Sequence, residues 1–159
     1  MERVERIQNH PLFKENLKLL KKKEKKRKFC RHGIRHLTDV ARIAYILVLE
    51  KGLDIPKDVV YGTALVHDIG RYRQYVDKTP HNEAGVPIAE GILKDCGYTD
   101  LERAVMLQAV LNHRTLTQDE NPLNAIMYQA DKLSRACYAC KAMADCDWEE
   151  GRKNKHIIY

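Results

Sequence analysis

Apolar residues recur every three or four positions along nearly the whole chain, and strict alternation never lasts for more than a few residues. A spacing of that kind buries one stripe of a helix and leaves no strand face to pair, so it restricts the fold to packed helices. Over residues 36–50 the apolar set Leu37, Val40, Ala41, Ala44, Tyr45 and Val48 follows offsets of three, four, seven and eight. Pro11 permits a helix from about Leu12 that carries a lysine-rich run out to Lys28, and Gly52 and Pro56 mark a stop and a new start. A core helix is expected over residues 58–69, ended by Gly70, followed by a loop over 71–79. Two helices are expected at 82–95 and 100–112, separated by the Cys96-Gly97-Tyr98 turn, with Asp100 as N-cap. Residues 104–111 are apolar almost all round, which predicts deep burial. A polar loop at 114–121 leads to Pro122 and one long last helix reaching about Trp148, with a loose tail over 151–159. With 159 residues and no internal repeat or linker, the chain reads as one all-α, single-domain helical bundle. Its parts are a basic helical segment (1–29), a core (30–140) and the end of the last helix with its tail (141–159).

Charge is uneven. The 28 basic and 22 acidic residues leave a net +6. Nine basic and two acidic residues fall between Lys14 and Lys28, so the excess belongs to that segment. Leu17, Leu19 and Leu20 interrupt the run and no aromatic interleaves it, so a solvated helix face is the favoured reading and nucleic acid the disfavoured partner. No stretch has the apolar length of a membrane span, and the first ten residues lack the apolar core of a secretion signal, so a cytoplasmic protein is expected. Five cysteines, an odd count, argue against a disulfide framework. Cys137, Cys140 and Cys146 invite a zinc or redox site. Ile126, Ala130, Leu133, Cys137, Cys140 and Ala144 share a helical stripe, however, and no second pair completes a zinc set, so core packing is expected for them.

The chemistry concentrates at His67-Asp68-Ile69-Gly70. A histidine and a carboxylate side by side at the end of an apolar helix are a costly choice for packing unless a cation compensates them. Imidazole with carboxylate suits iron, manganese or zinc. Further donors stand at His36, in line with Val40, Ile43 and Leu47, and at His81, His113 and Asp131, all at helix positions facing inward or at helix ends. A metal site in a helical bundle is built from such separate elements.

A histidine, then His-Asp, then a distant aspartate resembles the HD-domain superfamily of metal-dependent phosphohydrolases. ALVHDIG, HNEAGVPIAEGIL, AVLNHRT and ADKLSRA are similar to its successive motif segments, over about residues 30–140. The resemblance implies that His36, His67, Asp68, His81, His113 and Asp131 hold a pair of divalent ions, iron, manganese or zinc, with magnesium also admissible. It implies hydrolysis of a nucleotide or other small phosphoester by metal-activated hydroxide. Arg71 stands where many members have lysine, and the Asp131 segment does not match the group that cleaves diadenosine tetraphosphate, so that substrate does not carry over.

Four neutral imidazoles, two carboxylates and two divalent ions sum to a charge of about +2, which attracts phosphate. Arg71, Arg114, Lys132 and Arg135 are the candidate cations for the charge that develops in the reaction, Lys132 foremost because it follows a ligand. Glu83 is a candidate proton relay to the leaving group. Tyr72, with Tyr75 and Arg73, is a candidate contact for a base or ribose. His32, one turn before His36, reads first as a solvated residue and second as a support for the ligands. His10 and His156 are given no role. The contrasting class is a non-catalytic module that keeps this scaffold and binds a nucleotide or nucleic acid. Oligomeric state is left open by the sequence.

Overall fold

The computed structural model describes residues 1–116 and 121–159. Eight α-helices run through them in the order α1 Glu2–Asn9, α2 Pro11–Lys23, α3 Ile34–Glu50, α4 Lys57–Val66, α5 Arg71–Asp77, α6 His81–Asp95, α7 Asp100–Asn112 and α8 Pro122–Leu133. The chain ends in three single 3₁₀ turns, Cys137–Ala139, Met143–Asp145 and Glu150–Arg152. Helix α3 packs against α4 and α8, α7 against α6 and α8, and α5 against α6. No strand occurs among the described residues.

The apolar stripe of α3 is the spine of the core: Leu37, Val40, Ala44, Leu47 and Val48 are buried, as the spacing predicts. Helix α4 is buried almost all round, from Val59 to Val66. Its i→i+4 ladder then gives way to tight turns, Ile69 N–H to Val66 O at 3.1 Å and Arg71 N–H to Asp68 O at 2.9 Å. The helix therefore ends at Val66 rather than Ile69, and the neighbours His67 and Asp68 both turn inward.

Several expectations are corrected by the packing. Residues 71–77 are helical, not loop, and α5 lies on α6. Helix α1, which the sequence reading passed over, buries Val4 and Ile7 and sends Arg3 to Asp58 and Glu102 at 2.7 Å each. Helix α2 stops at Lys23, not Lys28, because Glu24 turns inward and is buried. Helix α7 is buried along one face only; Leu101, Val105 and Leu111 stay exposed. Its cap is Thr99, whose hydroxyl accepts from Glu102 N–H while Glu102 accepts from Thr99 N–H, a complete capping box.

Helix α8 ends at Leu133 rather than near Trp148, so the cysteine stripe does not exist as helix. The tail is held better than a loose end. The Asn154 amide donates to the carbonyls of Lys132, Leu133 and Arg135, and Tyr159 reaches Glu50. Of the loop expected at residues 114–121, residues 117–120 lie outside the described residues. No helix among the described residues is long and apolar enough to cross a membrane.

Candidate metal centre

Six side chains expected to act together come from five places in the fold: His36 on α3, His67 and Asp68 on the turn after α4, His81 at the first position of α6, His113 just past α7, and Asp131 near the end of α8. Asp68 stands at the centre. Its Oδ2 lies 3.6 Å from both His36 Nε2 and His67 Nε2. Its Oδ1 lies 3.1 Å from His81 Nε2 and 3.6 Å from His113 Nε2. The donors thus form two trios that share Asp68, one with His36 and His67, the other with His81 and His113. Asp131 joins the first trio, with Oδ1 at 3.4 Å from His36 Nε2.

The outer nitrogen of each imidazole is already engaged. His67 Nδ1–H donates to Ala64 O at 2.7 Å and His113 Nδ1–H to Val110 O at 2.6 Å. A carbonyl can only accept, so these contacts decide the tautomer and turn each Nε2 lone pair inward. His81 Nδ1 faces Gln74 Oε1, a residue of the unforeseen helix α5. His36 Nδ1 faces Ser134 Oγ at 3.3 Å, which in turn donates to Asp131 O at 2.8 Å. Supports of this kind hold ligating histidines in register.

Inside that ring, His36 Nε2, His67 Nε2 and Asp68 Oδ1 are buried and make no hydrogen bond to another described residue. Buried polar atoms without partners are expensive, and these three stand around the shared Asp68 carboxylate, where cations would satisfy them. Burial pushes His67 down to about 3, so it is a neutral donor at neutral pH. Burial alone would raise the Asp68 carboxyl, but with His67 neutral the positive charge of Arg71 still outweighs it and holds the group below the ordinary carboxylate range. The donor set therefore fits divalent ions: neutral imidazoles with an ionised, shared carboxylate.

Glycine at position 70 makes this convergence possible. A Cβ there would come within 2.3 Å of His81 O and 2.4 Å of Gly85 N, so the backbone of α6 rests directly on the turn that carries Asp68.

Around the donors, Arg71 Nη1 sits 3.1 Å from His81 Nε2 and 3.6 Å from Asp68 Oδ1. Lys132 Nζ contacts Asp131 Oδ2 at 2.5 Å, and Arg135 approaches the same oxygen at 3.5 Å while stacking on Trp148. Tyr72 is half-buried on the first turn of α5. Arg114 and Glu83 are exposed and stand outside the group; Arg114 lies 3.5 Å from Asn82 Oδ1. Arg73 pairs with Asp77 in solvent, and Tyr75 donates to Glu24.

His32 is corrected. It is buried, lies before α3 rather than on it, and meets His36 edge-on with ring centres 5.4 Å apart. Its Nδ1 and its backbone N–H both bond the Glu24 carboxylate at 2.7 Å. Glu24, read in the sequence as one acid in a basic run, is thus the buried anchor beneath the His36 wall. His10, given no role, caps α2: its Nδ1 accepts from Leu12 N–H.

Comparison with known proteins bears on this arrangement. The family model described as HD domain matches residues 33–136, which spans all six donors. An uncharacterised protein of Clostridium beijerinckii is 42% identical over 159 residues, the full length of both chains. Ribonuclease Y 1 of Pediococcus pentosaceus is 24% identical over 127 residues, which cover 80% of this chain and 22% of that protein. No solved structure matches.

Proposed function

The chain belongs to the HD domain family, and from that premise we propose that it is a metal-dependent phosphohydrolase acting on a nucleotide or other small phosphoester. One observation carries the reading: buried Nε2 and carboxylate oxygen atoms converge without partners while every opposite Nδ1 is held by the fold. His36, His67, Asp68 and Asp131 would hold one ion, and His81 and His113 with the second oxygen of Asp68 the other. Two such ions would supply Lewis acidity for a phosphoryl oxygen and lower the pKa of bound water toward neutrality.

The protein's own groups do the rest. Asp68 places one negative charge between the two donor sets and offers one oxygen to each. Arg71 reaches past Asp68 and His81 and is positioned to meet a phosphate oxygen with a guanidinium fork. Lys132 and Arg135 neutralise Asp131 and present positive charge on the opposite side. The name of the Pediococcus relative describes cleavage of a phosphodiester, which agrees with phosphoester chemistry and leaves the substrate of this chain open.

The test is a panel of nucleotides and phosphoesters with added manganese, iron or zinc, using protein purified without chelator. Product should form with at least one pair and fall to background in Asp68→Ala. Equal rates for Asp68→Ala and the parent would refute the assignment. A folded, metal-loaded protein that binds nucleotides and releases no product would instead be the non-catalytic module.

A further inference from the structure

Four of the five cysteines share one cavity although more than a hundred residues separate the first from the rest. Cys30, between α2 and α3, and Cys137, Cys140 and Cys146, after α8, line one cavity of about 930 Å³. Cys137, Cys140 and Cys146 are half-buried around it, and Cys30 is exposed. The fifth, Cys96, is buried elsewhere, at the end of α6.

Residues 134–153 supply much of the far wall and pack little apolar surface of their own. Among these residues only Ala142 is buried, and none of the three 3₁₀ turns contributes a buried side chain. A single buried alanine offsets little of the conformational entropy of ordering twenty residues, and the Arg135–Trp148 stack is the main side-chain packing beside it. Segments of this length without packed secondary structure are uncommon in a compact domain. The hydrogen bonds from Asn154 join the two ends of the wall, and the Lys28–Asp145 ion pair touches it beside Cys146.

The rim is basic. Lys18, Lys21, Lys25 and Lys28 come from the lysine-rich segment, with Arg135 and Lys153 opposite. That placement gives the basic run a local counterpart: an anion seated in the cavity. Four thiolates around a cationic core amount to such an anion.

A single zinc ion is too small for the set. Zinc–sulfur bonds of about 2.3 Å bring four thiolates close together. Among the described residues, however, no three of these sulfur atoms fall within 4.8 Å of one another. A polynuclear core spreads its thiolates farther apart. Three cysteines grouped in sequence and a fourth far away is also a general pattern of cluster ligation. We propose that Cys30, Cys137, Cys140 and Cys146 bind a four-iron, four-sulfide cluster that pins residues 134–153 against α2 and the start of α3. Each thiol gives up its proton to solvent as its sulfur bonds one iron, and two ferrous ions, two ferric ions and four sulfides supplied during assembly make up the core, so no electron is gained or lost.

This site is separate from the six-donor centre but adjoins it. His36, Ser134 and Arg135 line the same cavity, so the cluster would hold Ser134 against His36. The cluster does not depend on the hydrolytic reading.

The experiment is to prepare the full chain anaerobically and reconstitute it with equal amounts of ferrous and ferric iron and with sulfide. Acid-labile sulfide is measured because the six-donor centre contains none. About four sulfides per chain are expected, with broad visible absorption that bleaches on reduction. Cys30→Ser and Cys140→Ser should lose the sulfide and become sensitive to proteolysis within residues 134–153. Cys96→Ser and Asp68→Asn should keep it. A folded parent chain that takes up no sulfide would overturn the proposal. So would a parent chain that carries one zinc ion lost in Cys140→Ser.

Discussion

Replacing Gly70 by alanine tests how the turn after α4 and the start of α6 are joined. The added Cβ would lie 2.3 Å from His81 O, 2.4 Å from Gly85 N and 2.8 Å from Ala84 C, where ordinary contact begins at 3.4 Å. All three obstacles are backbone, so no side chain can swing aside, and α6 must recede by about 1 Å. Overpacking of this kind costs about 1–3 kcal/mol, which lowers the melting temperature by roughly 2–12 °C for a domain this size. The displaced residue is His81, whose Nε2 lies 3.1 Å from Asp68 Oδ1 and 3.1 Å from His113 Nε2. Metal–donor distances tolerate about 0.2 Å, so the half of the centre built on His81 and His113 should lose its ion. A misplacement of about 1 Å at a reacting centre costs on the order of 100-fold in rate. Gly91→Ala is the internal control, since a Cβ there meets nothing within 4 Å. It should stabilise α6 by about 0.5–1 kcal/mol with no loss of metal or activity. Thermal unfolding, elemental analysis and hydrolysis of an aryl phosphate measure the three effects. If Gly70→Ala keeps the parental melting temperature, both ions and full rate, the contact between turn and helix does not position His81.

Glu24→Ala removes the acceptor for His32 N–H, His32 Nδ1–H and the Tyr75 hydroxyl. It should cost about 2–4 kcal/mol, because buried donors are left without partners; a loss below about 1 kcal/mol in chemical denaturation contradicts that account. Acid should weaken the α1–α4–α7 junction. The hydrogen bond from Arg3 lowers Glu102 from 4.5 to about 2, and Arg3 also lowers Asp58. Both folded values are depressed, so their contribution is complete above about pH 4.5 and disappears as pH falls toward 2. After solvent screening this amounts to about 1 kcal/mol, and Arg3→Gln should flatten the acid limb of the stability profile. Parallel pH profiles for the parent and the variant would rule it out.

The sequence by itself decided the helical class, because the three-to-four spacing of apolar residues is local and leaves no alternative face to bury. It also singled out the candidate donors that the structure brings together. His67-Asp68 is an expensive pair to bury next to a glycine stop, and His36, His81, His113 and Asp131 lie at inward positions or helix ends. What local pattern could not reach was any feature settled by a distant partner. Helix α5 is short and polar, so its helicity shows only through its packing on α6, and the support that Gln74 gives His81 was hidden with it. Glu24 looked like one charge in a solvated run; its burial depends on His32 and Tyr75 arriving from other segments. The end of α8 at Leu133 could not be read from a stripe that continues through Cys140, since spacing records which residues share a face only while the helix lasts. Tertiary structure alone brought Cys30 to the cavity that Cys137, Cys140 and Cys146 line, and it alone arranged five of the six candidate donors as two trios that share Asp68. Convergence of that kind is a property of how helices cross, and residue order along the chain carries no record of it.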